Sequence, residues 1–222
     1  MNPQINNLGQ SIKRILDSIP PGVLLLAAAK TRTLEEVEVA IQSGVTDFGY
    51  NYVQEALPII QAIGNRAKWH MIGHLQQNKV SVAVSNFDMI ETVDSWHLAQ
   101  TLDHHCAKIQ KKLPVLVEVN SGREVNKTGV LPEAVDDLII QMSSLKYLSV
   151  EGLMTMGPRF GDPENSRPYL KATREVFERI ADRNLPNINM KYLSMGMSNN
   201  YQIAIEEGAN IIRIGTKLFG ER

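Results

Sequence analysis

The chain has 222 residues, 43% of them hydrophobic and 21% charged, with a formal net charge of −1 and a single cysteine, Cys106. That length supports a single domain over residues 1–222, and that balance excludes disorder and any long-range pull toward nucleic acid or an acidic membrane. One cysteine forms no intramolecular disulfide, residues 1–20 lack the apolar core of a signal peptide, and no stretch nears about 18 uninterrupted apolar residues, so a cytoplasmic protein is expected.

In chain order, residues 5–17 read as a leading helix. Eight short, β-rich apolar runs follow: Leu24–Lys30, Thr46–Asn51, Lys68–Gly73, Met89–Asp94, Pro114–Asn120, Leu148–Met156, Tyr192–Met195 and Ile211–Thr216. Helical patterns separate most of them. Thr33-Leu34-Glu35-Glu36 is a capping-box start, Leu34, Val37 and Ile41 form a stripe, and Gly44 ends it. Val53, Leu57 and Ile60 form the next stripe; Asp94-Ser95 caps a helix through His105; Leu131-Pro132-Glu133 opens another. Arg167–Asn184 and Asn199–Gly208 complete the set. Alternating strands and helices predict a parallel sheet with helices outside, and eight units predict a closed (β/α)8 TIM-type barrel. An open doubly wound sheet is the alternative, but no GxGxxG follows any strand.

In such a barrel, functional groups sit where strands end. Strand alternation puts Leu24, Leu26, Ala28 and Lys30 on one face. If that face is the interior, the Lys30 amine enters an apolar mouth, where desolvation favours the neutral, nucleophilic form. The plainer alternative is a lysine that snorkels to water. Near the C-terminus, Ser194-Met195-Gly196-Met197-Ser198 links a strand to a helix, with Ser198 at a natural N-cap, and Arg213-Ile214-Gly215-Thr216 supplies a second small-residue turn. Backbone N–H groups at such turns suit a phosphate, and the loops of strands seven and eight are the habitual phosphate site of this fold; two ordinary turns are the alternative. Arg213 shares a face with Ile211 and Gly215, so it points where Lys30 points and needs an acceptor: a ring nitrogen, or an Asp or Glu from another strand.

Ala28-Ala29-Lys30-Thr31, Phe48-Gly49-Tyr50-Asn51-Tyr52-Val53-Gln54-Glu55, Trp69-His70-Met71-Ile72-Gly73-His74-Leu75-Gln76, Gly152-Leu153-Met154-Thr155-Met156 and the two C-terminal turns together resemble the pyridoxal 5′-phosphate (PLP) homeostasis protein family, whose members look like the N-terminal barrel of alanine racemase. The resemblance runs nearly end to end. It implies a PLP Schiff base on Lys30, with Ser198, Gly215 and Thr216 on the phosphate and Ser194 nearby. It implies Arg213 at the pyridine nitrogen, and Asn51, His70 and Met154 along the cofactor. It also implies a role in vitamin B6 and amino-acid or keto-acid homeostasis, with PLP-dependent apoenzymes as candidate acceptors and a monomeric state. Three positions depart from the family pattern: Tyr50 replaces a usual Glu, Ala29 a common Ser, and Asn200 a frequent Asp.

Rival signals are weaker. His70 and His74, or His104-His105-Cys106, invite a metal reading, but no C-x-x-C pair accompanies them. Lys108-Ile109-Gln110-Lys111-Lys112 complements a helix C-terminus rather than forming a nucleic-acid patch. Lys127, a rival reactive lysine, falls in a polar loop. A slow PLP-dependent, racemase-like enzyme is the alternative function. Against it, the six residues after Thr216 offer no element for a racemase's second acid/base group, and an arginine at the ring nitrogen weakens carbanion stabilisation. A PLP carrier or regulator without a fast reaction is therefore expected. A barrel for some other phosphorylated metabolite is the third possibility.

Overall fold

The computed structural model describes residues 3–157 and 161–220. Helix α1 (Pro3–Asp17) leads into β1 (Leu24–Ala28). There follow α2 (Leu34–Gln42), β2 (Asp47–Tyr50), α3 (Val53–Ile63), β3 (Lys68–Met71), α4 (Val80–Asn86), β4 (Met89–Val93), α5 (Trp96–Lys108) and β5 (Leu113–Val119). Then come α6 (Val135–Met142), β6 (Leu148–Thr155), α7 (Arg167–Ala181), β7 (Ile188–Ser194), α8 (Tyr201–Glu206), β8 (Ile211–Ile214) and α9 (Thr216–Phe219). The strands pair in parallel in the order β1 to β8, and β1 pairs with β8, so the sheet closes into the expected barrel.

Local chemistry explains most boundaries. The Thr33 side chain accepts from the Glu36 N–H and the Glu36 carboxylate accepts from the Thr33 N–H, a reciprocal cap that starts α2. Ser95 caps α5 by accepting from the Leu98 N–H. Two elements differ from the expectation. β7 begins at Ile188 rather than Tyr192, because Ile188–Lys191 alternates between half-buried and exposed positions and so lacks a continuous apolar run. α6 begins at Val135, after a turn in which the Ala134 N–H bonds to Leu131 O. Helix α4 carries no helical signal: Val80, Val82 and Val84 alternate as in a strand, yet the chain must cross from β3 to parallel β4. Tertiary packing selects a helix that buries Val80, Ala83 and Val84.

The main core lies between barrel and helices. Leu25, Ala27 and Ala29 of the first strand segment join it, as do Phe48 and Tyr50 of the second. The barrel interior holds separate small clusters, Leu26 with Ile72 and Ile211, and Met89 with Leu116 and Met154. Alternation therefore assigns faces as expected, with Tyr50 and Ala29 outside the barrel wall and Lys30 on the interior side. Tyr50 is fully buried, with its ring 6.3 Å from that of Trp69. Its hydroxyl has no hydrogen-bond partner, and burial, with Glu55 adding to it, pushes the phenol pKa up. Tyr50 thus packs its ring well and strands one polar atom. Replacing Tyr50 with Phe should raise stability by about 1 kcal/mol in urea denaturation, since a buried unsatisfied hydroxyl is removed at constant shape; a loss of stability would mean that the hydroxyl is satisfied after all.

Candidate functional site

A cavity of about 410 Å³ opens at the C-terminal ends of the strands, lined by Lys30, Asn51, Ser198, Arg213, Gly215 and Thr216. Six of the nine residues singled out from the sequence thus meet in one place, although they come from four separate stretches of chain. Barrel closure does this: Leu26 stands opposite Asp47 on one side and Arg213 on the other. Lys30 is half-buried and follows β1 by two residues, inside a turn where Thr31 takes φ 61°. A non-glycine residue in that region costs on the order of 1 kcal/mol. The Glu55 carboxylate offsets this by accepting from the Thr31 N–H, so α3 pins the backbone next to the lysine. Arg32, missed by the sequence reading, also lines the cavity. It pairs with Glu36 at 3.0 Å, donates to Gly220 O at 2.6 Å and lies over the Phe219 ring. On the far side, a Cβ on Gly73 would stand 2.4 Å from Asn51 O, so only glycine lets these two loops touch and hold Asn51 at the rim.

The two small-residue turns meet, but not as the sequence suggests. Ser198 does not cap α8. Its Oγ reaches across to the other turn and accepts from the N–H groups of Gly215 at 3.3 Å and Lys217 at 3.4 Å. The turn before α8 is organised instead by Asn200, whose Oδ1 accepts from the Met197 N–H at 2.8 Å. An aspartate carboxylate could accept the same bond. Gly196 has φ 93°, and a Cβ there would lie 2.5 Å from Ala204 Cβ, so the turn tightens onto α8 only with glycine.

The remaining three candidates lie deeper in the barrel. Met154 packs against Met89 and Leu116. Ser194 donates to Glu91 Oε2 at 2.6 Å and accepts from Arg213 Nη1 at 2.7 Å. His70 is placed away from the cavity: Nδ1 meets Glu91 Oε1 at 2.7 Å and Nε2 meets Asp47 Oδ1 at 3.1 Å. It lines a second hollow of about 380 Å³ at the opposite, N-terminal end of the strands. Both its nitrogens face carboxylates, so the ring is held as a doubly donating cation. Arg213 also donates from Nη2 to Thr155 O at 2.7 Å. The acceptors of Arg213 are thus a hydroxyl and a carbonyl rather than the carboxylate expected from another strand, and Glu91 stands one hydroxyl beyond. Its signal was a charged residue inside the wholly buried run Met89-Ile90-Glu91-Thr92-Val93.

The comparisons follow this geometry. The family profile described as alanine racemase, N-terminal domain, matches residues 4–222. A pyridoxal phosphate homeostasis protein of Aquifex aeolicus is 39% identical over 199 residues, covering 89% of this chain and 86% of the relative. The chain belongs to the pyridoxal phosphate homeostasis protein family. The namesake from Synechocystis is 35% identical over 94% of this chain and 95% of its own. The structure of Synechococcus elongatus PipY without PLP superposes with TM-score 0.90 at 31% identity, over 96% of this chain and 100% of that one. PipY with PLP bound gives TM-score 0.88 at 29% identity over the same shares. Clostridium difficile alanine racemase, at 17% identity and TM-score 0.79, shares the barrel over 98% of this chain and 60% of its own.

The family's cofactor fits what this chain presents. PLP needs an amine for its aldehyde, donors for a phosphate dianion and room for a ring. The cavity offers half-buried Lys30, N–H groups of Gly215 and Lys217 converging on Ser198 Oγ, and a guanidinium held in place by two hydrogen bonds. Its volume suits a cofactor-sized ligand. The buried charges also carry a pH signature. Burial lowers the His70 pKa, but hydrogen bonds and charge from Asp47 and Glu91 outweigh it and raise it from 6.5 to about 9. A raised folded-state pKa gives stability that is complete below pH 6.5 and lost as pH rises through about 9. The melting temperature should therefore fall across that window, and His70→Asn should flatten the fall. An unchanged slope in the variant would assign the loss to other groups.

Proposed function

We propose that this family member holds PLP in the cavity at the strand ends, as a Schiff base on Lys30, and serves vitamin B6 and amino-acid or keto-acid homeostasis as a carrier rather than a fast enzyme. The observation that carries this reading is the meeting of Lys30, Arg213 and both small-residue turns in one cavity. PLP bound there would supply a carbonyl that condenses with amines and a ring that withdraws electrons. Lys30 tethers, and the turn N–H groups with the Ser198 and Thr216 hydroxyls hold the phosphate. Asn51 closes the rim. Arg213 presents a permanent cation to the ring and cannot hand it a proton, so the electron sink stays weak. That property favours storage and exchange over turnover. Release to PLP-dependent apoenzymes, a monomeric state and a cytoplasmic location complete the proposal; buried Cys106, whose thiol burial pushes up to about 11, suits a reducing compartment.

The test is an absorbance spectrum of purified protein before and after borohydride, followed by peptide mapping. A visible band that borohydride bleaches, with the label on Lys30, is expected; a label on Lys127 or Lys217 moves the site. Lys30→Ala should fold normally and lose the covalent cofactor, whereas unfolding would make the lysine structural. Sustained racemisation of an amino acid by the holoprotein would replace the carrier reading with the enzyme one. Ser198→Ala should weaken PLP retention about ten- to a hundred-fold, the worth of one hydroxyl on a charged oxygen, and leave pyridoxal binding unchanged. Equal loss of both ligands would show that Ser198 only ties the two turns together.

A further inference from the structure

Arg213 is reached through a chain of hydrogen bonds that crosses the barrel. Asp47 Oδ1 meets His70 Nε2 at 3.1 Å, and His70 Nδ1 meets Glu91 Oε1 at 2.7 Å. Glu91 Oε2 accepts from Ser194 Oγ at 2.6 Å, and Ser194 Oγ accepts from Arg213 Nη1 at 2.7 Å. One end lines the hollow at the N-terminal face, and the other lines the cavity at the C-terminal face. Glu91 stands at the middle, fully buried, with each carboxylate oxygen committed to one neighbour.

We propose that Glu91 is a positioning residue for the cofactor cavity: acting through the Ser194 hydroxyl, it aims the Arg213 guanidinium and sets the field that the cavity applies to a bound PLP ring. The inference rests on the PLP reading above. The hydrogen-bond route from Glu91 to the cavity-lining Arg213 is one hydroxyl long, and the charge of Glu91 acts on Arg213 as well. Two carboxylates, Asp47 and Glu91, balance two cations, His70 and Arg213. Replacing Glu91 by a neutral residue removes one of the negative charges that act on Arg213 and leaves it less compensated.

The groups facing this chain come from every strand. Lys30 follows β1, Asp47 is on β2, His70 on β3 and Glu91 on β4. Glu118 on β5 accepts from Thr128 Oγ1, and its carboxyl is pushed up by burial. Thr155 O on β6, Ser194 on β7 and Arg213 on β8 close the circle. Among the described residues, Glu118 is a further carboxylate whose charge acts on Arg213, and its hydrogen bonds go to Thr128.

The test uses PLP-loaded protein and follows the pH midpoint of its visible band. Glu91→Gln keeps the shape and removes the charge; Ser194→Ala keeps the charge and breaks the link. Each should lower the midpoint, because an Arg213 cation that is less compensated or less firmly aimed disfavours a further positive charge on Lys30 in the same cavity. If the two act along one chain, the double variant shifts no further than the larger single one. Ser194→Thr, which restores a hydroxyl, should return toward wild type, and Glu124→Gln, in an exposed pair with Lys127, should not move the midpoint. Midpoints unchanged in both single variants, with the band still present, would make Glu91 purely structural; additive shifts would show that Ser194 is not the route. Should Glu91→Gln fail to fold, Ser194→Ala and Ser194→Thr decide alone. Absence of a visible band from wild type would overturn the PLP reading itself, and this inference with it.

Discussion

A closed barrel offers ionisable side chains no bulk water, so any charge inside it must find a charge or a donor within reach. Asp47, His70, Glu91 and Arg213 solve that problem jointly, each on a different strand, with Ser194 completing the contact. Burial acts against all four charged forms. It is opposed at Arg213 by Glu91 and Glu118, and outweighed at Glu91 by the hydrogen bond and charge of His70, with Arg213 and Ser194 contributing. Such chains add little net stability compared with apolar packing. What this one provides is orientation: a guanidinium bonded at Nη1 and Nη2 presents a fixed face to the cavity above it.

The cavity depends on this floor. Met89, Leu116 and Met154 pack together in the barrel interior. Around the rim, different devices hold the backbone: Glu55 fixes the turn after Lys30, the Gly73–Asn51 contact fixes the second strand end, and Ser198 joins the turns after β7 and β8. Most polar residues that line the cavity thus lie on turns after the strands, while Arg213 stands on β8 itself.

Much of this was legible in the sequence. Periodicity alone located all eight strands, since each buried strand is a short apolar run between turn residues. Alternation placed Lys30, Arg213 and Gly215 on the interior and Tyr50 and Ala29 outside it. His70, Met154 and Ser194 also alternate inward, but they do not line the cavity, because alternation gives a direction and no depth. A residue two positions earlier on a tilted strand sits a full layer lower, where it meets other side chains instead of the cavity. Ser198 looked like a cap because it precedes a helix, yet its hydroxyl is drawn to N–H groups seventeen and nineteen residues away.

The sequence by itself determined the alternating β/α order, the inward face of each strand and the two turns that suit a phosphate, because these follow from neighbours within a few residues. Only the tertiary structure decided that α4 is a helix despite its strand-like valines, that Asn200 rather than Ser198 shapes the seventh turn, and that Glu91 stands between His70 and Ser194. Those outcomes depend on barrel closure, which brings β4 within hydrogen-bonding distance of β7 across the interior. Contacts made across a closed sheet carry no periodic trace along the chain.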